Sequence, residues 1–128
     1  MDAKPYFASI SWKDLEEINA KLCQAGGHEA GRSPDGYEPA LQLWEEKHLQ
    51  TLTFLQAADL CRQCHRFAPF LYLNGNTFAS CARVALAPAL EKLGYEAQTV
   101  SRAALGHYIA GTIERPDFIA IVPFVLGE

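Results

Sequence analysis

The first clear pattern along the chain begins after Ser11. Leu15, Ile18 and Leu22 recur at helical spacing, while Asp14, Glu16, Glu17 and Lys21 stand off that stripe, which predicts an amphipathic helix. Ser9 or Ser11 can cap its start, and Gly26-Gly27 can end it in a left-handed turn. From Gly26 to Tyr37 the pattern lapses. Ser33-Pro34-Asp35-Gly36 is turn chemistry, so this stretch reads as a loop of about ten residues, long enough to serve as a flap. Helical spacing returns from Glu38, with Leu41, Leu43 and Trp44 as the inward face.

A longer periodic stretch runs from about Leu49 to Phe67, with Leu52, Leu55, Leu60, Cys64 and Phe67 on neighbouring faces of one helix, closed by Pro69. After a short loop over 70–75, Asn76 or Thr77 can cap another helix towards Leu93, where Gly94 suits the exit. Pro88 inside that run should kink or restart it. Tyr95 to Val100 reads as an extended connection, and Ser101 as the cap of a helix reaching about Ile113. Pro116 can open a last short apolar segment to Leu126. No strict two-residue alternation marks strands. The expectation is one all-α domain over 1–128, a bundle of roughly five to seven helices with its core over about 49–113.

Composition narrows the function classes. A chain of 128 residues, 49% hydrophobic and 20% charged, is the size of one domain and too apolar for a disordered tail or a collagen-like or mucin-like repeat. A net charge of −4 argues against general nucleic-acid binding, although a local basic spot can still hold one phosphate. Met1-Asp2-Ala3-Lys4-Pro5 lacks the basic end and apolar run of a signal peptide, and the longest apolar stretch, Phe118 to Leu126, is broken by Pro123. The expected setting is the cytoplasm, without a membrane, and Cys23, Cys61, Cys64 and Cys81 are expected as reduced thiols.

Cys61-Arg62-Gln63-Cys64-His65 spells C-x-x-C-H, the pattern of covalent haem attachment. Haem would require export and a distal ligand, and Met1 is the sole methionine, leaving His28, His48 or His107. Zinc is a second reading, because Cys61 and Cys64 at i, i+3 share a helix face and Cys81 or His107 could approach them. The plain reading is two small thiols on a packing face. His28 and His48 lie among polar residues and are expected to face solvent, His107 to pack with one hydrogen bond, and Trp12 and Trp44 to be core or rim aromatics.

One arrangement carries chemistry of its own. A long helix, a sharp loop ending Asn74-Gly75-Asn76 and a second long helix place unpaired backbone N–H groups and a partial positive charge where Gly75 lets a ligand approach. A phosphate group is the natural occupant, held by Asn74, Gly75, Asn76 and Thr77. The stretch from Leu60 to Phe70, the Asn74-Gly75-Asn76 turn, the helix to Leu93-Gly94-Tyr95 and the segment Leu105 to Ile113 together resemble the core of the Fic/Doc family. Members of that family carry H-x-F-x-D/E-G-N-G/K-R between two helices. Most transfer AMP from ATP to a target hydroxyl, and the small Doc toxins phosphorylate an elongation factor.

The resemblance implies a Fic/Doc-like helical fold, a flap over 26–37 that holds a protein or peptide, and an antitoxin-like peptide as a possible partner. It also identifies what is missing. Aligned on Gly75, the catalytic histidine becomes Phe70 and the motif aromatic Tyr72; aligned on Ala68-Pro69-Phe70, the histidine becomes Ala68. The metal-binding acid becomes Asn74, a poorer Mg²⁺ ligand than a carboxylate, and the phosphate-binding arginine becomes Phe78. The expected function is therefore that of a degenerate domain that binds a protein partner or a phosphate-bearing ligand, without transfer activity and without a required cofactor. One alternative is a divergent nucleotidyl- or phosphotransferase using ATP or another nucleotide with Mg²⁺. There His65 of a shifted His65-Arg66-Phe67 motif, or Tyr72 with Asn74, would act, and Arg66 or Arg83 would replace the missing arginine. Another is a metal-binding helical domain at Cys61, Cys64 and His65.

Overall fold

The computed structural model describes residues 3–122, which form six helices in one all-α domain. They are α1 (Trp12–Gly26), α2 (Tyr37–Lys47), α3 (Phe54–Phe67), α4 (Asn74–Leu90), α5 (Tyr95–Ala110) and α6 (Arg115–Ile121). The described residues contain no strand, only two isolated antiparallel bridges, Lys4 with Leu52 and Arg32 with Phe70. No helix among them is long and apolar enough to cross a membrane. The segment expected to reach Leu126 ends within the described residues at Val122, and 123–126 lie outside them, as do Met1 and Asp2.

Local chemistry sets the ends of the early helices. Ser11 and Asp14 form a reciprocal capping box at the start of α1, and Gly27 leaves it in the left-handed conformation at φ 76°. Thr53 and Gln56 form a second box, and this moves the start of α3 from the expected Leu49 to Phe54. Leu52 keeps its place in the core but belongs to an extended segment, exchanging two 2.8 Å backbone hydrogen bonds with Lys4.

The later helices depart from expectation in two places. α4 runs through Pro88 without restarting there; proline has no N–H to give the Val84 carbonyl, and the helix ends soon after it, at Leu90. α5 begins at Tyr95, so 95–100 are helical and Ser101 is a buried interior residue rather than a cap. The extended Gly94 serves as the cap instead, and its carbonyl accepts from the Gln98 N–H at 2.8 Å.

α4 is the centre of the bundle and packs against α1, α3 and α5; α2 lies on α3, and α6 closes over α5. Trp44, Phe54, Phe78, Leu86, Leu105, Tyr108, Ile109 and Phe118 are fully or almost fully buried, and each such side chain contributes about 1.5–3 kcal/mol of transfer free energy. Trp12 and Trp44 are core residues, each with its indole N–H satisfied, by the Tyr37 hydroxyl at 3.1 Å and the Ile10 carbonyl at 3.0 Å.

A polar clasp fixes the C-terminal elements. The Arg62 guanidinium lies 4.4 Å over the Tyr108 ring and donates to the carbonyls of Tyr108 and Ile113 at 2.7 and 2.8 Å. The Tyr108 hydroxyl donates to Asp59, and Arg115 pairs with the same carboxylate at 3.6 Å. Burial, followed by the Asp59 hydrogen bond, raises the Tyr108 phenol to a pKa of about 12.

Candidate functional site

The α3–α4 turn is built around two non-glycine residues in the left-handed region, Ala68 at φ 50° and Leu73 at φ 61°. Such a conformation costs about 1–2 kcal/mol per residue and needs support from its surroundings. Three contacts supply it. The Asn74 amide is spent twice on Phe70, accepting from its N–H at 2.9 Å and donating to its carbonyl at 2.8 Å. Phe70 stacks on Trp12 with centroids 5.7 Å apart and lies beside buried Phe78. Asn19, buried on α1, donates to the Tyr72 carbonyl at 2.8 Å and to the Thr77 hydroxyl at 3.0 Å, and that hydroxyl donates to the Leu73 carbonyl.

The predicted phosphate-cradle residues therefore divide. Asn74 and Thr77 are internal fasteners of the turn. Gly75 and Asn76 face outward, at a helix start with no side-chain cap, so their backbone N–H groups have no protein acceptor. Phe70 and Phe78 are core residues, Ala68 is an exposed helix cap, and Tyr72 is exposed and stacked on His28 at 4.6 Å. The resemblance would ask Asn74 to hold Mg²⁺. Its amide oxygen is already committed to Phe70, so the turn does not fit a metal there.

The 26–37 loop is docked on this turn. Ser33 donates its N–H to the Pro69 carbonyl at 2.8 Å, and Leu71 donates to the Gly31 carbonyl at 3.0 Å. Arg32 lies 4.4 Å over the Tyr37 ring and pairs with Glu16 at 3.4 Å. Gly36 fits because a Cβ there would stand 1.8 Å from the Phe67 carbonyl oxygen.

Gly75 and Asn76 open onto a cleft of about 540 Å³ between α4 and α5, floored at one side by Leu22 of α1. Along α4 its wall continues through Ala79, Ser80 and Arg83, and along α5 through Ala103, Gly106, His107 and Ala110. A volume of this order suits a small organic ligand. The walls carry two basic side chains and no carboxylate, in a protein whose net charge is −4. Arg83 crosses to α5, where Nε and Nη2 reach the Arg102 carbonyl at 3.4 and 3.3 Å, leaving its other guanidinium hydrogens for a ligand. The Thr112 hydroxyl lies 3.0 Å from the His107 carbonyl and 2.9 Å from His107 Nδ1, and so holds the ring in place.

No family model, curated protein or solved structure matches the chain. The cleft itself must carry the functional argument.

His65, on α3, lies beside Gly75. A Cβ at Gly75 would lie 3.5 Å from His65 Nε2 and 3.5 Å from the Ala110 methyl, so the imidazole backs directly onto the start of α4. His65 Nδ1 is buried with no hydrogen-bond partner. Burial, then the nearby Arg62 charge, lowers the pKa below the ordinary value of 6.5.

The cysteines point elsewhere. Cys61, Cys64 and Cys81 are buried in the core, and burial followed by mutual interaction with Cys81 raises both Cys61 and Cys64, the latter to about 12. Among the described residues, no group of three His, Cys, Asp or Glu side chains is placed to hold a metal ion. His48 is half-buried, with Nδ1 2.8 Å from the Trp44 carbonyl, whereas His28 is exposed as expected.

Sequence reading names Gly75, Asn76 and, as a substitute cation, Arg83. It misses Ser80, Gly106 and Ala110 as site residues. The available signal was the run of small residues at 103, 106 and 110 on α5, which allows a helix partner or its side chains to approach closely.

Proposed function

We propose that this domain binds a phosphate-bearing small ligand in the α4–α5 cleft and does not transfer the phosphate or nucleotidyl group. Arg83 carries this reading: its guanidinium lies across Gly106 into a cleft that also holds the free N–H groups of Gly75 and Asn76 and no carboxylate. Charge-assisted hydrogen bonds from arginine and a helix start are the standard chemistry of phosphate recognition. The absence of transfer is argued from the turn, where the residues at the family's catalytic and arginine positions, Phe70 and Phe78, are buried in the core and the Asn74 amide is occupied.

Calorimetric titration of the whole chain with ATP, GTP, UTP, CDP-choline and inorganic phosphate, with and without Mg²⁺, tests the proposal. Binding should weaken about ten- to a hundredfold in Arg83→Ala, the loss expected for hydrogen bonds to a charged group. A ligand-free outcome across the series, or binding indifferent to Arg83, overturns it.

One observation favours a second reading, the divergent transferase. His65 Nε2 lies against Gly75, as a shifted motif would require. Transfer of label from a nucleotide to protein that disappears in His65→Ala would establish that reading and remove the first.

A further inference from the structure

Asn74-Gly75 is the one asparagine-glycine pair in the chain. Asparagine is a thermolabile residue, and before glycine it cyclises most readily, because no Cβ shields the next backbone nitrogen from its carboxamide carbon. The folded chain holds the reacting atoms apart. Asn74 is the first residue of α4, and its carboxamide faces back to Phe70 through the two bonds of 2.9 and 2.8 Å. Ring closure onto the Gly75 nitrogen requires both to break and the Asn74 backbone to leave the helical conformation. The Asn19 amide adds two further bonds, to the Tyr72 carbonyl and the Thr77 hydroxyl on either side of the pair. Against these works the left-handed Leu73, whose strain is released when the turn opens.

We propose that Asn74 is a site of spontaneous, one-way modification, which the α3–α4 turn holds shut and local opening of that turn releases. In the open turn the Gly75 nitrogen attacks Asn74 Cγ. The new C–N bond closes a succinimide, the Cγ–Nδ2 bond breaks, and ammonia leaves with the proton from the Gly75 nitrogen. Water then adds across one of the two ring carbonyl–nitrogen bonds and leaves aspartate or isoaspartate, with nothing oxidised or reduced. Neither product can rebuild the pair of bonds to Phe70, because a carboxylate has no proton for the Phe70 carbonyl. Isoaspartate also lengthens the main chain by one carbon at the start of α4. The rate follows the equilibrium fraction of open turn, so the modification records how often this turn has opened, whatever the cleft binds.

The full chain is incubated at mildly alkaline pH in native buffer and in guanidinium chloride, and Asn74 is followed by peptide mapping with mass spectrometry and by isoaspartyl methyltransferase labelling. The mass gain separates Asn74 from Asp35-Gly36, which forms isoaspartate without one. Asn74 should react at least about tenfold more slowly in the native chain than in the denatured one. Asn19→Ala, which removes two fasteners and leaves the reacting pair intact, should raise the native rate several-fold. Where that variant does not fold, the parent chain in sub-denaturing guanidinium chloride reads the same gate. Equal rates in native and denatured parent chain, an Asn74 that stays intact when denatured, or a folded Asn19→Ala that reacts no faster than the parent each overturns the proposal.

Discussion

Arg83 reaches across α5 only because position 106 has no side chain: its Nη2 lies 2.3 Å from where a Cβ on Gly106 would stand. The obstructing atom is the end of a flexible side chain, so Gly106→Ala should displace the guanidinium without disturbing the backbone. Alanine also improves a helix interior by about 0.8–1 kcal/mol. The variant is expected to melt no lower than the parent and to lose several-fold in phosphate-ligand affinity. Thermal melting and calorimetry on one preparation check both halves, and unchanged affinity would remove Arg83 from the site.

Gly36 presents the opposite case. Its missing Cβ would meet the Phe67 and Ala68 carbonyl oxygens at 1.8 and 2.6 Å, and both are backbone atoms that cannot swing aside. Gly36→Ala should cost about 1–3 kcal/mol, the scale of an overpacking substitution, and should undock the 26–37 loop from 69–71. Faster hydrogen exchange at the Ser33 and Leu71 amides would report the undocking. Protection equal to that of the parent would mean that the loop is held elsewhere.

Ala68 is exposed and left-handed, so glycine should improve it. Relief of about 1–2 kcal/mol of left-handed strain exceeds the roughly 0.5–1 kcal/mol of added chain entropy in the unfolded state, for a net gain of about 0.5–1 kcal/mol. Chemical denaturation of Ala68→Gly should show a higher midpoint with an unchanged slope.

Tyr108 and Cys64 both have folded pKa values raised to about 12, and Cys61 is raised as well. All three are neutral when protonated, and the folded state holds their protons more tightly than the unfolded state. Their contribution is complete below the unfolded values of about 8.5–10 and is lost as pH rises through the folded ones. Stability should be level near neutrality and fall from about pH 9–10 upward, and Tyr108→Phe should make that fall shallower. Denaturant midpoints across the alkaline range measure it, and a midpoint independent of pH would contradict the assignment.

Some helix starts were readable from single residues, whereas the side-chain box of Thr53 and Gln56 at α3 was not. Ser11, one of two candidate caps, does start α1, and Pro116 stands in the first turn of α6. The start of α3 was misplaced because Leu49 and Leu52 happen to continue the helical spacing, although Leu52 is buried through a backbone pairing with Lys4 that no local pattern encodes. Ser101 looked like a cap because it is polar, yet it is a small residue buried within α5. The cleft was harder to foresee. Asn76 and Gly75 lie in a visible motif, but the opposite wall is made of alanines and a glycine, which leave no hydrophobic period. His65 follows Cys64 by one position, and that rotation of about 100° takes it off the buried stripe and onto Gly75.

The clasp centred on Arg62 bears on the order in which the chain can become a protein. Its acceptors at Tyr108 and Ile113 lie 46 and 51 residues further along, and the side chain is only 14% exposed once they are in place. A nascent chain that has emerged only as far as α4 already carries the guanidinium but none of its acceptors. Until α5 and the turn beyond it have left the ribosome, the arginine must stay in water, and α3 cannot bury that face. Completion of the bundle is in this way tied to segments that are made well after α3.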